Sequence, residues 1–172
     1  NFSRDLGPKE QIHTGVSYHG NRTIFPDVPL PYFTYVNHTR SDLTYEVGLP
    51  SSRVTWQPCD QVAIALRYDL PNNVTGSVAY TVSDALSIFA EYERRLSAFH
   101  EHDAMRDHQR LFYRLSAINT GVSYHHELAD VRFGVGYAFN QEFSRGFDAR
   151  DTDGIADLSD EVLFFFSVAV TF

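Results

Sequence analysis

Several groups of side chains along this chain are of types that could do chemistry. His100, His102, Asp103, Asp107 and His108 fall close together, and imidazole with carboxylate is the ligand set that zinc or copper prefers. Met105 and Arg106 interrupt the group, and no helical spacing aligns it, so a solvated loop is the preferred account. Asp148, Asp151, Asp153, Asp157 and Asp160 surround Gly154, and carboxylates around a turn-forming glycine are what a calcium loop uses. Asp151, Asp153 and Asp157 are the candidate calcium ligands within residues 143–159. Ala149 stands where a full motif would begin with an acid, which favours an acidic solvated loop.

His125, His126 and Glu127 resemble a site but fall in a tight turn. No spacing identifies a serine or aspartate nucleophile with an oriented histidine, so no catalytic residue is assigned and an enzyme is not expected. Asn1, Asn21, Asn37 and Asn73 each begin an Asn-x-Ser/Thr sequon, a pattern common enough by chance to be set aside.

These residues need elements to position them, and composition points to strands. Of 172 residues, 14 are Phe and 10 Tyr, an aromatic enrichment that suits a β-rich chain. The net charge of -8, with Lys9 the sole lysine, argues against nucleic acid as a partner, because phosphate binding needs clustered Lys and Arg. The single Cys59 excludes an internal disulfide and a thiolate metal cluster. No run of apolar residues is long enough for a transmembrane helix. The start at Asn1, without Met or a secretory segment, leaves room for strands upstream.

Alternation with a period of two dominates. Val62, Ile64, Leu66 and Tyr68 alternate with Ala63, Ala65, Arg67 and Asp69. Val131, Phe133, Val135, Tyr137 and Phe139 alternate with Arg132, Gly134, Gly136, Ala138 and Asn140. Near the end, Val162, Phe164, Phe166, Val168, Val170 and Phe172 share one face, although Leu163 and Phe165 blur the other. The pattern predicts about ten strands, at 11–18, 31–38, 42–48, 52–57, 60–69, 73–82, 85–98, 109–124, 128–142 and 160–172, with the third and fourth short enough to be one bent strand. Short turns at 83–84 and 125–128 contrast with long loops at 99–108 and 143–159, an asymmetry that outer-membrane barrels show.

The two faces differ in kind. One carries Val, Ile, Leu, Phe and Tyr, as a lipid-facing surface requires, with Tyr68, Tyr80, Tyr92 and Tyr137 toward strand ends as an interfacial girdle. The other is mostly Gly, Ala, Ser and Thr with scattered charges, which suits a crowded interior. The expected fold is therefore an all-β, antiparallel, up-and-down transmembrane β-barrel formed by a single domain over residues 1–172. Arg67, Asp69, Glu91, Glu93, Arg95, Arg114 and Arg132 are expected to line its lumen, either pairing to block it or setting the ion preference of a narrow pore.

Val168, Val170 and a terminal Phe172 at alternate positions resemble the β-signal by which bacterial outer-membrane proteins are recognised for assembly. Ser167 and Phe165 depart from that signal, which usually has Gly and a polar residue there. Beyond it, residues 29–172 resemble an uncharacterised family of bacterial outer-membrane barrels. The resemblance rests on Leu30-Pro31-Tyr32, on Gly48-Leu49-Pro50 followed by Val54 and Trp56, on Gly134 to Phe139, and on the terminal strand. It implies a location in the Gram-negative outer membrane, with membrane lipid and the barrel assembly machinery as partners, and a structural or narrow porin-like role. It supplies no cofactor and no catalytic residue. Two rival readings are an outer-membrane enzyme acting on lipid or peptide and a soluble ligand-binding β-barrel.

Overall fold

The computed structural model describes residues 2–18, 22–100 and 109–170. Among the described residues there are twelve strands: β1 (Phe2–Gly7), β2 (Glu10–Ser17), β3 (Leu30–Asn37), β4 (Leu43–Leu49), β5 (Ser51–Cys59), β6 (Val62–Asp69), β7 (Asn73–Ser83), β8 (Leu86–His100), β9 (Arg110–His126), β10 (Ala129–Gly146), β11 (Thr152–Leu158) and β12 (Glu161–Val170). All belong to one antiparallel sheet in which each strand lies beside its sequence neighbour from β1 to β11, while β12 pairs β10.

Alternation survives in the register. Ile64 lies opposite Val78, Val78 opposite Ala90, Ala90 opposite Thr120, Thr120 opposite Val135, and Val135 opposite Phe164. The adjacent row runs Ala65, Ser77, Glu91, Asn119, Gly136 and Leu163. Apart from Ala90 and Thr120 in the first row and Leu163 in the second, bulky side chains occupy one face and small or polar ones the other across six strands, because paired residues of an antiparallel sheet share a face.

The path of the sheet is open. Among the described residues β1 pairs only β2, β12 pairs only β10, and no ladder joins the two ends. This corrects the expectation of a closed up-and-down transmembrane barrel. A spanning sheet has to close, because each unpaired edge N–H or C=O left in hydrocarbon costs several kcal/mol. With closure go the expectations that depended on it: the structural or porin-like role, the outer-membrane location, membrane lipid as partner, and docking of the last strand to the assembly machinery. The outer-membrane enzyme falls with them.

Two strands escaped the sequence pattern. β1 is short and mixes Phe2 and Leu6 with Arg4 and Asp5, so it carries little alternation. β11 contains Asp153 and Asp157, which read as loop residues, yet it pairs β10 from Gly146↔Thr152 to Gln141↔Leu158. Residues 143–159 are therefore mostly strand, and the connection after β10 is the short turn 147–151. β4 and β5 form a hairpin rather than one bent strand, with Leu43 opposite Trp56.

β11 and β12 lie end to end along the same side of β10. Gln141↔Leu158 and Ala138↔Glu161 keep one register across the interruption at Ser159 and Asp160. Opposite the break, β10 slips by one residue against β9 between Phe139 and Glu142, and Asn140 takes a left-handed conformation with φ 51. Gln141 fastens this bulge, accepting from the Tyr113 hydroxyl at 2.6 Å and donating to the Ser159 carbonyl at 3.1 Å.

The blurred alternation at Leu163 and Phe165 also has a physical cause. Phe165 lies opposite Gly134 and Leu163 opposite Gly136. A Cβ on Gly134 would fall 2.7 Å from the Phe165 ring, and one on Gly136 would fall 2.7 Å from Leu163. The bulky residues fill space that the glycines leave, as aromatics do over strand glycines elsewhere. Phe165 also meets Phe89, with ring centroids 6.1 Å apart. Phe89, Leu96, Phe112, Ala117 and Ala138 are buried at different points along β8, β9 and β10, the three longest strands. Much of the bulky face is exposed, with Phe133 at 54%.

Candidate functional site

The β2–β3 loop, described from Arg22 onward, crosses one end of the sheet and meets residues from its far half. The Thr23 carbonyl accepts the Ala149 N–H at 2.8 Å, and the Arg22 carbonyl accepts from Arg110 Nη1 at 2.6 Å. Arg110, almost wholly buried at the start of β9, also approaches Asp27 at 3.6 Å. Phe25 and Asp27 adopt left-handed conformations at φ 46 and 59. For a bulky residue such as Phe25 that backbone is strained and persists only when its surroundings hold it.

Asp148 and Arg150 do the holding. The Arg150 guanidinium lies 4.0 Å from the centroid of the Phe25 ring, in cation–π geometry. Its Nη2 donates to Asp148 Oδ2 at 2.5 Å, and the Arg150 backbone N–H donates to Oδ1 at 2.9 Å. The Asp148 carboxylate is buried. The guanidinium hydrogen bond holds its pKa below the ordinary carboxylate value, against the upward push of burial, with help from the Arg150 and Phe25 backbone N–H groups.

Under this anchored loop lies a cavity of about 670 Å³. Its apolar walls come from Ile24 and Phe25 on the loop, Leu30 and Pro31 at the start of β3, and two turns carrying Leu49-Pro50 and Leu70. The Leu70 N–H donates to the Pro50 carbonyl at 2.9 Å, tying the β4–β5 turn to the β6–β7 turn. Both turns contain cis X-Pro bonds, at Leu49-Pro50 and Leu70-Pro71.

Few polar groups enter. Arg22 is committed to the loop, with Nη2 donating to the Ser17 carbonyl at 2.6 Å and Nη1 to the Val28 carbonyl at 2.9 Å. Arg67 Nε donates to Asp69 Oδ2 at 2.6 Å, and this hydrogen bond raises the arginine pKa. The guanidinium stays half exposed. Ser17 and Ser51 supply hydroxyls, and no histidine is among the lining residues described. Two arginines against one aspartate leave the cavity positive by one formal charge.

Comparison of the chain with protein-family models, with curated proteins and with solved structures finds no match. The likeness to an uncharacterised outer-membrane barrel family, carried by short motifs, is corrected accordingly. The open sheet removes its structural basis as well.

The residues expected to line a lumen occupy other settings. Arg67, Asp69, Glu91, Glu93, Arg95 and Arg132 share the face opposite the bulky one, since Arg67 pairs Thr75, Thr75 pairs Glu93, and Asp69 pairs Asn73. On an open sheet they cover a surface. Arg132 spans two strands to Glu91 at 3.4 Å and lies 4.2 Å from the centroid of the Phe89 ring. Arg114 sits in the other row, opposite Leu96 and Glu142, and pairs Glu142 at 2.7 Å. It helps line a polar cleft of about 480 Å³ beside the β10 bulge, with Arg94, Asp157 and Asp160.

Asp153 and Asp157 stand on β11 with Gly154 between them, and Asp151 precedes the strand. Among the described residues no three His, Cys, Asp or Glu side chains gather as a metal site. His100 ends β8, and the rest of its histidine group lies outside the described residues. His125 contacts Asp130 across the β9–β10 turn. Val168 and Val170 pair Val131 and Ala129, and Phe172 is outside the described residues.

Sequence reasoning missed the cavity entirely. Leu49-Pro50, Leu70-Pro71 and Phe25-Pro26 are far apart in the chain, and nothing local shows that they meet. A loop containing Ile24, Phe25, Pro26 and Val28 is unusually apolar for a solvated connection, and that was the available signal.

Proposed function

We propose that this chain is a non-catalytic binding domain whose ligand is a small amphiphile with an anionic head, held beneath the β2–β3 loop. The observation that carries the reading is the cavity itself, about 670 Å³ with walls from Ile24, Phe25, Leu30, Leu49 and Leu70 and Arg67 at its rim. That volume lies in the range of small-molecule sites, roughly 300 to 1,000 Å³, and combines apolar walls with few orienting polar groups. An apolar tail would be driven in by burial at about 25 cal/mol per Å². Asp69 takes the Nε and Nη2 edge of Arg67 and fixes its orientation, which leaves the Nη1 side to donate to a carboxylate or sulfonate. The strained Phe25 backbone and its anchors hold the roof in place before a ligand arrives, which lowers the ordering cost of binding.

The test is isothermal titration calorimetry with decanoate. Saturable binding near one ligand per chain is expected, about fivefold weaker in Arg67→Gln, corresponding to roughly 1 kcal/mol for a half-exposed ion pair. Ile24→Ser should weaken it further, while Val78→Ser on the opposite face should leave it unchanged. Equal losses in all three variants would remove the proposal.

A further inference from the structure

We propose that the free edge of β12 is a self-association surface, on which β12 of a second copy adds antiparallel across a two-fold axis near Phe166. The inference is independent of the cavity. β12 pairs β10 along one side, and among the described residues no strand covers the other, so a row of backbone donors and acceptors is left for another strand. Edge strands are ordinarily blunted by charges, prolines or bulges. From Val162 to Val170 the sequence Val-Leu-Phe-Phe-Phe-Ser-Val-Ala-Val contains none of these. Exposure of large apolar side chains also peaks there, at 85% for Phe164 and 72% for Phe166, the highest values among the described residues.

Three features select a second β12 as the occupant. An uncharged strand meets itself without opposing like charges, and a two-fold at Phe166 sets Val162 against Val170, Phe164 against Val168 and Phe166 against its own copy. The opposite face then pairs Leu163 with Ala169 and Phe165 with Ser167, so bulky and packed rows both continue across the junction. The neighbouring edge segment, β11, carries Asp153 and Asp157, which oppose any register that slides the two copies further along each other. The other edge, β1, is six residues long with Arg4 and Asp5 in its centre, so it is a poor match for an apolar ten-residue strand. A two-fold closes after two copies, whereas β12 joined to β1 would run on as a filament.

Sedimentation velocity over a hundredfold concentration range, with cysteine cross-linking in a Cys59→Ser background, tests this. The expected result is a monomer–dimer equilibrium, disulfide dimers from Phe166→Cys but not from Val78→Cys or Phe2→Cys, and dissociation at least tenfold easier in Phe164→Lys/Phe166→Lys. Cross-linking decides the matter even if the double lysine variant fails to fold. A monomer at every concentration, an open-ended series of oligomers, equal cross-linking at Val78, or a dimer indifferent to the lysines would overturn it.

Discussion

Gly121 and Gly134 stand directly opposite one another on β9 and β10, so close that a Cβ on Gly121 would lie 2.2 Å from the Phe133 carbonyl oxygen and 2.8 Å from the Gly134 Cα. Neither glycine has a positive φ. Their role is close approach of two backbones, and on one side Phe165 covers the gap.

Gly121→Ala and Gly134→Ala should each cost about 1–3 kcal/mol, the range for inserting a methyl into filled space. Gly76→Ala is the control, because its Cβ would meet only Leu66 at 3.7 Å and strand alanine is favoured over glycine. Urea unfolding should show the first two losing stability and the third unchanged or slightly more stable.

Phe164 and Phe165 should answer truncation in opposite ways. Phe165→Ala uncovers Gly134 and removes the Phe89 contact, an expected loss of about 1–3 kcal/mol for a partly buried ring. Phe164, at 85% exposure, should change the monomer by no more than about 0.5 kcal/mol when replaced by alanine. Equilibrium unfolding at low protein concentration separates the two.

The loop anchor should weaken in acid. The pKa of Asp148 is lowered in the folded chain, so its contribution is complete above the ordinary carboxylate pKa of about 4 and disappears as pH falls through the lowered folded value. Hydrogen exchange at the Ala149 amide, which is bonded to Thr23, should therefore lose protection in that acid window. Asp148→Asn should show reduced protection at neutral pH and little further change on acidification.

Much of the sheet was legible in its residues because alternation is local: from Val62 to Tyr68, or from Val131 to Tyr137, each side chain announces its face. Closure was not legible. Whether β1 meets β12 is a pairing between residues far apart in sequence, and alternation reads the same in an open sheet as in a barrel. A bulky face with small and polar residues behind it reads as lipid outside and lumen inside, although the same division suits a sheet with one exposed apolar face. β11 was hidden because Asp153 and Asp157 have loop-like composition while their backbone pairs with β10. The cavity was hidden because the β2–β3 loop is anchored by Arg110, Asp148, Ala149 and Arg150, which are remote from it in the chain.

The position of a bound amphiphile tests the central claim most directly. A crystal structure with 10-bromodecanoate should show the anomalous bromine peak enclosed by Ile24, Leu30 and Leu70, with the carboxylate toward Arg67. Bromine over the exposed row of Phe133, Phe164 and Phe166, with the cavity empty, would contradict it.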